Sequence, residues 1–209
     1  MNILVFGASG RTGHELVRQA LAQGHVVTAY VRDLDKLQVE HENLRVMQGD
    51  VGNYPLVEKA VEGHDAVLSA LGAPSPFKYD QTVVDGLGNV IKAMEAARVW
   101  RFIYMSAINV RESRPNGGLL VRLFGPTLLR HETNGHEERE KLIRNSPLEW
   151  TIVRSGKLSD GERKAVYRSG EDVKAKGPAA KISRADVADF MLRQVTDKTY
   201  VRKFPIVMY

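Results

Sequence analysis

The chain contains no cysteine, which excludes a disulfide framework, a thiol nucleophile and a cysteine-ligated metal. It also lacks any apolar run near the ~18–20 residues that a bilayer span requires, so no membrane association is expected. The opening Met1-Asn2-Ile3-Leu4-Val5-Phe6-Gly7 has no basic leader, and Gly7 cuts its apolar stretch short. It reads as a strand of a cytoplasmic protein and not as a signal peptide. Internal repeats and low-complexity segments are missing. So is the Gly-x-Ser-x-Gly elbow of a serine hydrolase, since Ser9 sits inside a different glycine turn.

What is present fits one globular domain over residues 1–209. Hydrophobic residues make up 43% and charged residues 26%, near the globular average, which excludes a disordered chain. The net charge is +5 and the pI is near 9.4. This mild excess favours anionic small molecules and does not single out nucleic acid. Basic residues are common from Arg98 to Arg144, including Arg101, Arg122, Arg130 and Arg139. Acids interleave there, so the segment is either a set of solvated helix faces or a rim that attracts phosphate and carboxylate groups.

Strands and helices alternate, which predicts an α/β fold with a parallel, doubly wound, Rossmann-like sheet. Ile3–Phe6 is wholly apolar, as a strand covered on both faces must be. A helix follows, with Leu16, Val17, Ala20 and Leu21 on one stripe and Gly24 as its stop. Further strands are expected at Val26–Val31, Asn43–Met47, Asp65–Ala70, Phe102–Met105 and Trp150–Val153, and Phe204–Met208 can close the sheet. Asp80 caps a long helix through Val83, Leu87, Val90, Ile91, Met94 and Ala97. Ser183-Arg184-Ala185-Asp186 resembles a capping box before Val187, Phe190, Met191 and Val195. Residues 109–134 break the rhythm with Pro115, Gly117-Gly118 and Gly125-Pro126. They read as a substrate-side flap or a plain surface insertion.

Gly7-Ala8-Ser9-Gly10-Arg11-Thr12-Gly13 lies between the first strand and first helix. A dinucleotide turn needs glycine for tight backbone geometry, for close approach to a pyrophosphate and for helix–strand packing. An NAD site places an acid about 20 residues on, at the end of the second strand. Here that strand ends in Arg32, which suits a 2′-phosphate, so NADPH is the expected cofactor. Asp33, one position on, would restore an acid if the register shifted.

The glycine turn, Val31-Arg32-Asp33, Gln48-Gly49-Asp50-Val51, Ser69-Ala70-Leu71-Gly72 and Met105-Ser106-Ala107 occur in that order. Trp150-Thr151-Ile152-Val153-Arg154 and Ile182-Ser183-Arg184-Ala185-Asp186-Val187-Ala188 follow. Together they resemble the atypical short-chain dehydrogenases, most closely the biliverdin reductase B/flavin reductase group, over nearly the whole chain. The resemblance implies that Gly7, Ser9, Gly10, Arg11, Thr12 and Gly13 hold the pyrophosphate and Arg32 the 2′-phosphate. Asp50 and Val51 would flank the adenine, and Ala70, Leu71 and Gly72 would line the groove. Ser106 would sit beside nicotinamide and substrate, and Ser155-Gly156-Lys157 would approach the nicotinamide amide. Relatives commonly carry proline at the position of Ser155, and biliverdin-type reductases histidine at that of Lys157. Ser106 and Lys157 are the catalytic candidates.

Larger short-chain dehydrogenases use a Tyr-x-x-x-Lys pair, and no tyrosine here has lysine four residues on. Ketone chemistry is therefore disfavoured. Flavins, quinones and linear tetrapyrroles accept hydride through extended π systems and take their proton from water, so proximity and stacking suffice. The implied activity is NADPH-dependent reduction of a planar, anionic acceptor such as FMN or a tetrapyrrole from haem degradation. The alternatives are a redox-sensing regulator that binds NADP(H) without turnover, or a quinone or aldehyde reductase. A monomer or homodimer is expected. No metal is expected: His131 and His136 are five apart and cannot share a helical face, and Gly135 weakens a helix there. Both read as a solvent-facing flap and helix start, with His136 able to border the substrate pocket. Trp100 and Trp150 precede strands and read as core edges.

Overall fold

The computed structural model describes residues 1–72, 79–110, 112–121, 123 and 130–209. In chain order its elements begin β1 (Asn2–Phe6), α1 (Arg11–Ala22), β2 (Val26–Val31), β3 (Leu44–Gln48), α2 (Tyr54–Val61) and β4 (Ala66–Ser69). Then come α3 (Gln81–Ala96), β5 (Arg101–Ala107), α4 (Arg130–Arg144) and β6 (Glu149–Ser155). The last are β7 (Lys157–Ser159), β8 (Arg168–Gly170), β9 (Lys181–Ser183), α5 (Arg184–Arg193) and β10 (Ile206–Met208). Eight strands form one sheet in the order β3-β2-β1-β4-β5-β6-β10-β8. All neighbours pair in parallel except β10 with β8. β7 and β9 form a separate parallel pair. This is the doubly wound Rossmann-like fold.

Alternate residues of each central strand serve opposite layers. Ile3 and Val5 join Leu16, Val17 and Ala20 of α1 and Val187, Ala188 and Met191 of α5. Leu4 and Phe6 join Val57 of α2, Leu87, Val90 and Met94 of α3 and Ile143 of α4. Both faces of β1 are covered, which is why its sequence is apolar without alternation.

The expected caps form. Asp80 accepts from Thr82 N–H at 3.0 Å, Ser183 accepts from Asp186 N–H at 3.0 Å, and Gly24 follows α1 with φ +77°. Three expectations need correction. α4 starts at Arg130, so the end of the 109–134 flap is helix, and Gly135 sits within it. Residues 111, 122 and 124–129 of the flap lie outside the described residues. Trp150 is buried against Phe204 at 5.1 Å between ring centroids, whereas Trp100 stays 43% exposed and is no core edge. Arg101 and Arg139 are neither rim nor solvated face, because both are buried. Arg101 donates to the carbonyls of Glu149 and Gln194 and to Thr151 Oγ1. No helix among the described residues is long and apolar enough to cross a membrane.

Candidate active site

The chain leaves β1 toward β2 on one side and returns to β4 on the other, so the carboxyl ends of β1 and β4 flank the topological switch point. Open α/β sheets bind ligands in the crevice that such a reversal creates. Here it is a groove of about 210 Å³. Gly7, Ser9, Gly10, Tyr30, Val31, Arg32, Gly49, Asp50, Val51, Ala70, Leu71, Gly72, Asp80, Thr82 and Val83 line it. Nine residues singled out from the sequence, from Gly7 to Gly72, therefore share one cleft.

Local geometry explains why the sequence takes this form. Gly7 has φ +74°, and a Cβ there would stand 2.8 Å from the carbonyl carbon of Ala70. A Cβ on Gly13 would stand 2.0 Å from Gly7 O, so this glycine packs α1 against the turn and does not line the groove. Thr12 is buried likewise. Gly10 caps α1 without a side-chain hydrogen bond. The first-turn N–H groups, orphaned by helix geometry, thus remain available to an anion at the groove.

At the end of β2 two neighbours are divided. Arg32 is exposed and lines the groove, its carbonyl held by Gln48 Nε2 at 3.1 Å. Asp33 turns to its own loop, accepting from Asp35 N–H at 3.2 Å and pairing with Lys36 at 3.4 Å. Gly49 lets the Tyr30 ring lie over the chain: a Cβ there would meet Tyr30 Oη at 2.1 Å. Tyr30 Oη donates to Asp50 O at 3.1 Å, and burial, then the Asp50 charge, pushes its phenol up to about 12. Asn89 fixes Val51 through its carbonyl at 2.9 Å.

Ser106, Gly156 and Lys157 lie outside this lining. Ser106, the penultimate residue of β5, is 2% exposed and faces α4. Its Oγ donates to Glu140 Oε1 at 2.6 Å and lies 3.3 Å from His136 Nδ1, which is 3.4 Å from Tyr104 Oη. Arg154 binds both Glu140 oxygens at 3.2 and 2.6 Å and Glu112 at 3.0 Å. Burial, then the Arg139 charge, holds the His136 imidazole well below its usual range, so it is neutral. Burial lifts Tyr104 to about 12, with Arg139 opposing and Glu140 adding. His136 is therefore not solvent-facing, whereas His131 is only half-buried. Arg139 donates to Leu71 O at 3.1 Å, tying α4 to the groove wall. Gly156 is packed against Ala180, its N–H given to Val207 O at 3.2 Å. Lys157 is exposed at the first residue of β7.

This network is hidden in the sequence because the buried stripe of α4 is polar: Thr133, His136 and Glu140 lead to Ile143. Their spacing of three and four residues was the available signal. Among the described residues no group of three His, Asp or Glu side chains could hold a metal.

A model of an NAD(P)H-binding family matches residues 7–198. The chain is similar to photosystem II assembly factor Ycf39 of Synechocystis, 28% identical over 99% of this chain and 62% of that protein, so it spans less than two thirds of that relative. By structure it is similar to a short-chain dehydrogenase/reductase from Veillonella parvula in complex with NADP. That likeness has TM-score 0.82 and 22% identity, covering 100% of this chain and 94% of the other. It is also similar to ChuY, an anaerobillin reductase of Escherichia coli O157:H7, with TM-score 0.79 and 21% identity over 100% and 97% of the two chains. With nearly its whole length covered by the family model, the chain belongs to the NAD(P)H-binding family.

Proposed function

We propose that the protein is an NADPH-dependent reductase that delivers hydride to a planar, conjugated, anionic acceptor, a flavin such as FMN or a linear tetrapyrrole. The observation that carries this reading is the division of labour at Arg32 and Asp33. The groove meets a guanidinium and not the carboxylate that would accept from ribose hydroxyls. Bound NADPH supplies the hydride from its nicotinamide ring. Gly7, Ser9 and Gly10 hold its pyrophosphate, with Arg11 alongside, and Thr12 and Gly13 support the turn from within. Arg32 pairs the 2′-phosphate, Asp50 and Val51 flank the adenine, and Ala70, Leu71 and Gly72 guide the dinucleotide toward the end of β5. Ser106, its hydroxyl held by Glu140, and Gly156, packed on Ala180, back the nicotinamide end as positioning residues from outside the groove lining, and Lys157 meets an anionic group of the acceptor.

The sequence holds no Tyr-x-x-x-Lys pair to protonate a ketone, and burial raises the Tyr104 phenol to about 12. An acceptor that takes its proton from water suits such a site. The NADP-bound Veillonella structure and the ChuY reductase show that this fold hosts both cofactor and reaction class elsewhere. A second reading rests on the likeness to Ycf39: a chain that binds NADP(H) and acts through a protein partner, without turnover.

The test is NADPH oxidation by the pure protein with FMN, biliverdin, quinones and aldehydes in turn. We expect oxidation with a flavin or bilin, and its loss in Ser106→Ala with cofactor binding retained. Tight NADPH binding with no oxidation by any acceptor would instead establish the second reading. No binding at all would overturn both.

A further inference from the structure

Beside the glycine turn, on the α1 and α5 side, lies a second hollow of about 310 Å³, whose lining includes Ser9, Gly10, Arg11, Asp160 and Arg184. Ser9 and Gly10 also line the cofactor groove, so the two hollows meet at the phosphate turn. One carboxylate spans the second hollow. Asp160 Oδ2 accepts from Arg11 Nη1 at 3.2 Å and Oδ1 accepts from Arg184 Nη1 at 2.6 Å. Arg11 opens α1 and Arg184 opens α5. Asp160 directly follows β7, which pairs with β9, and β9 runs into Arg184, so backbone pairing keeps the acid between the two cations. The nearby Glu15 is committed to Arg18 at 2.8 Å and Gln19 at 3.0 Å.

The Asp160 and Arg11 side chains are 70% and 71% exposed, whereas Arg184 is 14% exposed. An exposed ion pair contributes little and exchanges readily for a better anion. A pyrophosphate carries more charge than a carboxylate and forms stronger charge-assisted hydrogen bonds with a guanidinium. We propose that Asp160 is a resident counter-ion of the phosphate turn: it engages Arg11 and Arg184, competes with phosphate for Arg11, and yields Arg11 to the pyrophosphate of the arriving dinucleotide. Arg184 keeps hold of Asp160, so its segment stays anchored during the exchange. The inference rests on the cofactor reading above and adds to it a built-in competitor that weakens affinity and speeds release.

Calorimetry with NADPH, at several salt concentrations, on the wild-type protein and Asp160→Asn decides the matter. We expect Asp160→Asn to bind NADPH about fivefold more tightly, the scale of one exposed ion pair. Its affinity should also fall more steeply with salt, because solution ions then take the place of the lost carboxylate. Adenosine 2′-monophosphate, which lacks the pyrophosphate, should bind both proteins alike. Equal or weaker NADPH binding by Asp160→Asn, with normal binding by the wild type, overturns the counter-ion alone. If the wild type binds no NADPH, the cofactor reading falls and this inference falls with it.

Discussion

Arg32 and Asp33 share a loop and differ in what holds them. Asp33 caps the turn of residues 34–36 and pairs with Lys36, while Arg32 is exposed at the mouth of the groove. A charged hydrogen bond contributes ~1.5–3 kcal/mol, so Arg32→Ala should weaken NADPH binding by roughly ten- to a hundredfold. NADH affinity should barely move in the same calorimetric titration, and equal losses for both would remove the 2′-phosphate assignment. Arg11 teaches a different lesson. Its place in the motif was plain from sequence, but its partner Asp160 lies 149 positions away, and no local pattern announces a contact of that separation.

At the scale of the element, α3 carries two glycines with opposite consequences. A Cβ on Gly86 would lie 2.4 Å from Val51 Cγ2, whereas a Cβ on Gly88 would meet nothing within 4 Å. Gly86→Ala should cost ~1–3 kcal/mol by overpacking and loosen NADPH as Val51 shifts in the groove. Gly88→Ala should gain ~0.5–1 kcal/mol from helix propensity. Denaturant melts of the two variants check both signs. Helix α3 was readable because an apolar stripe and the Asp80 cap mark it. Of helix α4 only the start was, and not its buried face, because thirteen of its residues from Arg130 to Lys141 and Arg144 offer no large apolar side chain. It folds against polar partners that sequence alone does not bring together. Its Gly135, a helix breaker by propensity, is tolerated where a Cβ would find its nearest neighbour only at 3.4 Å.

For the whole molecule, that buried polar face makes stability sensitive to pH. Neutral His136 has a folded-state pKa below its unfolded one. Above about pH 6.5 neither state carries the proton and nothing is lost. As pH falls through that value the unfolded chain binds protons first, so stability declines until the folded-state pKa is reached. Thermal melts from about pH 7.5 to 5.5 should show this decline, and His136→Asn should make it shallower, leaving the part contributed by His64 and His25, which burial lowers in the same direction. An unchanged slope would mean that the imidazole is not the group responsible. The parallel doubly wound sheet, the glycine turn and the basic residue at the end of β2 were legible in the order of residues alone. Those features are written in contiguous residues, through apolar runs, caps and backbone demands that only glycine meets. Which distant charges meet was settled by folding: Asp160 with two helix starts, Glu140 with Ser106 and Arg154. Ion pairs and hydrogen bonds depend on distances of a few ångströms between residues far apart in the chain, and folding alone sets those distances.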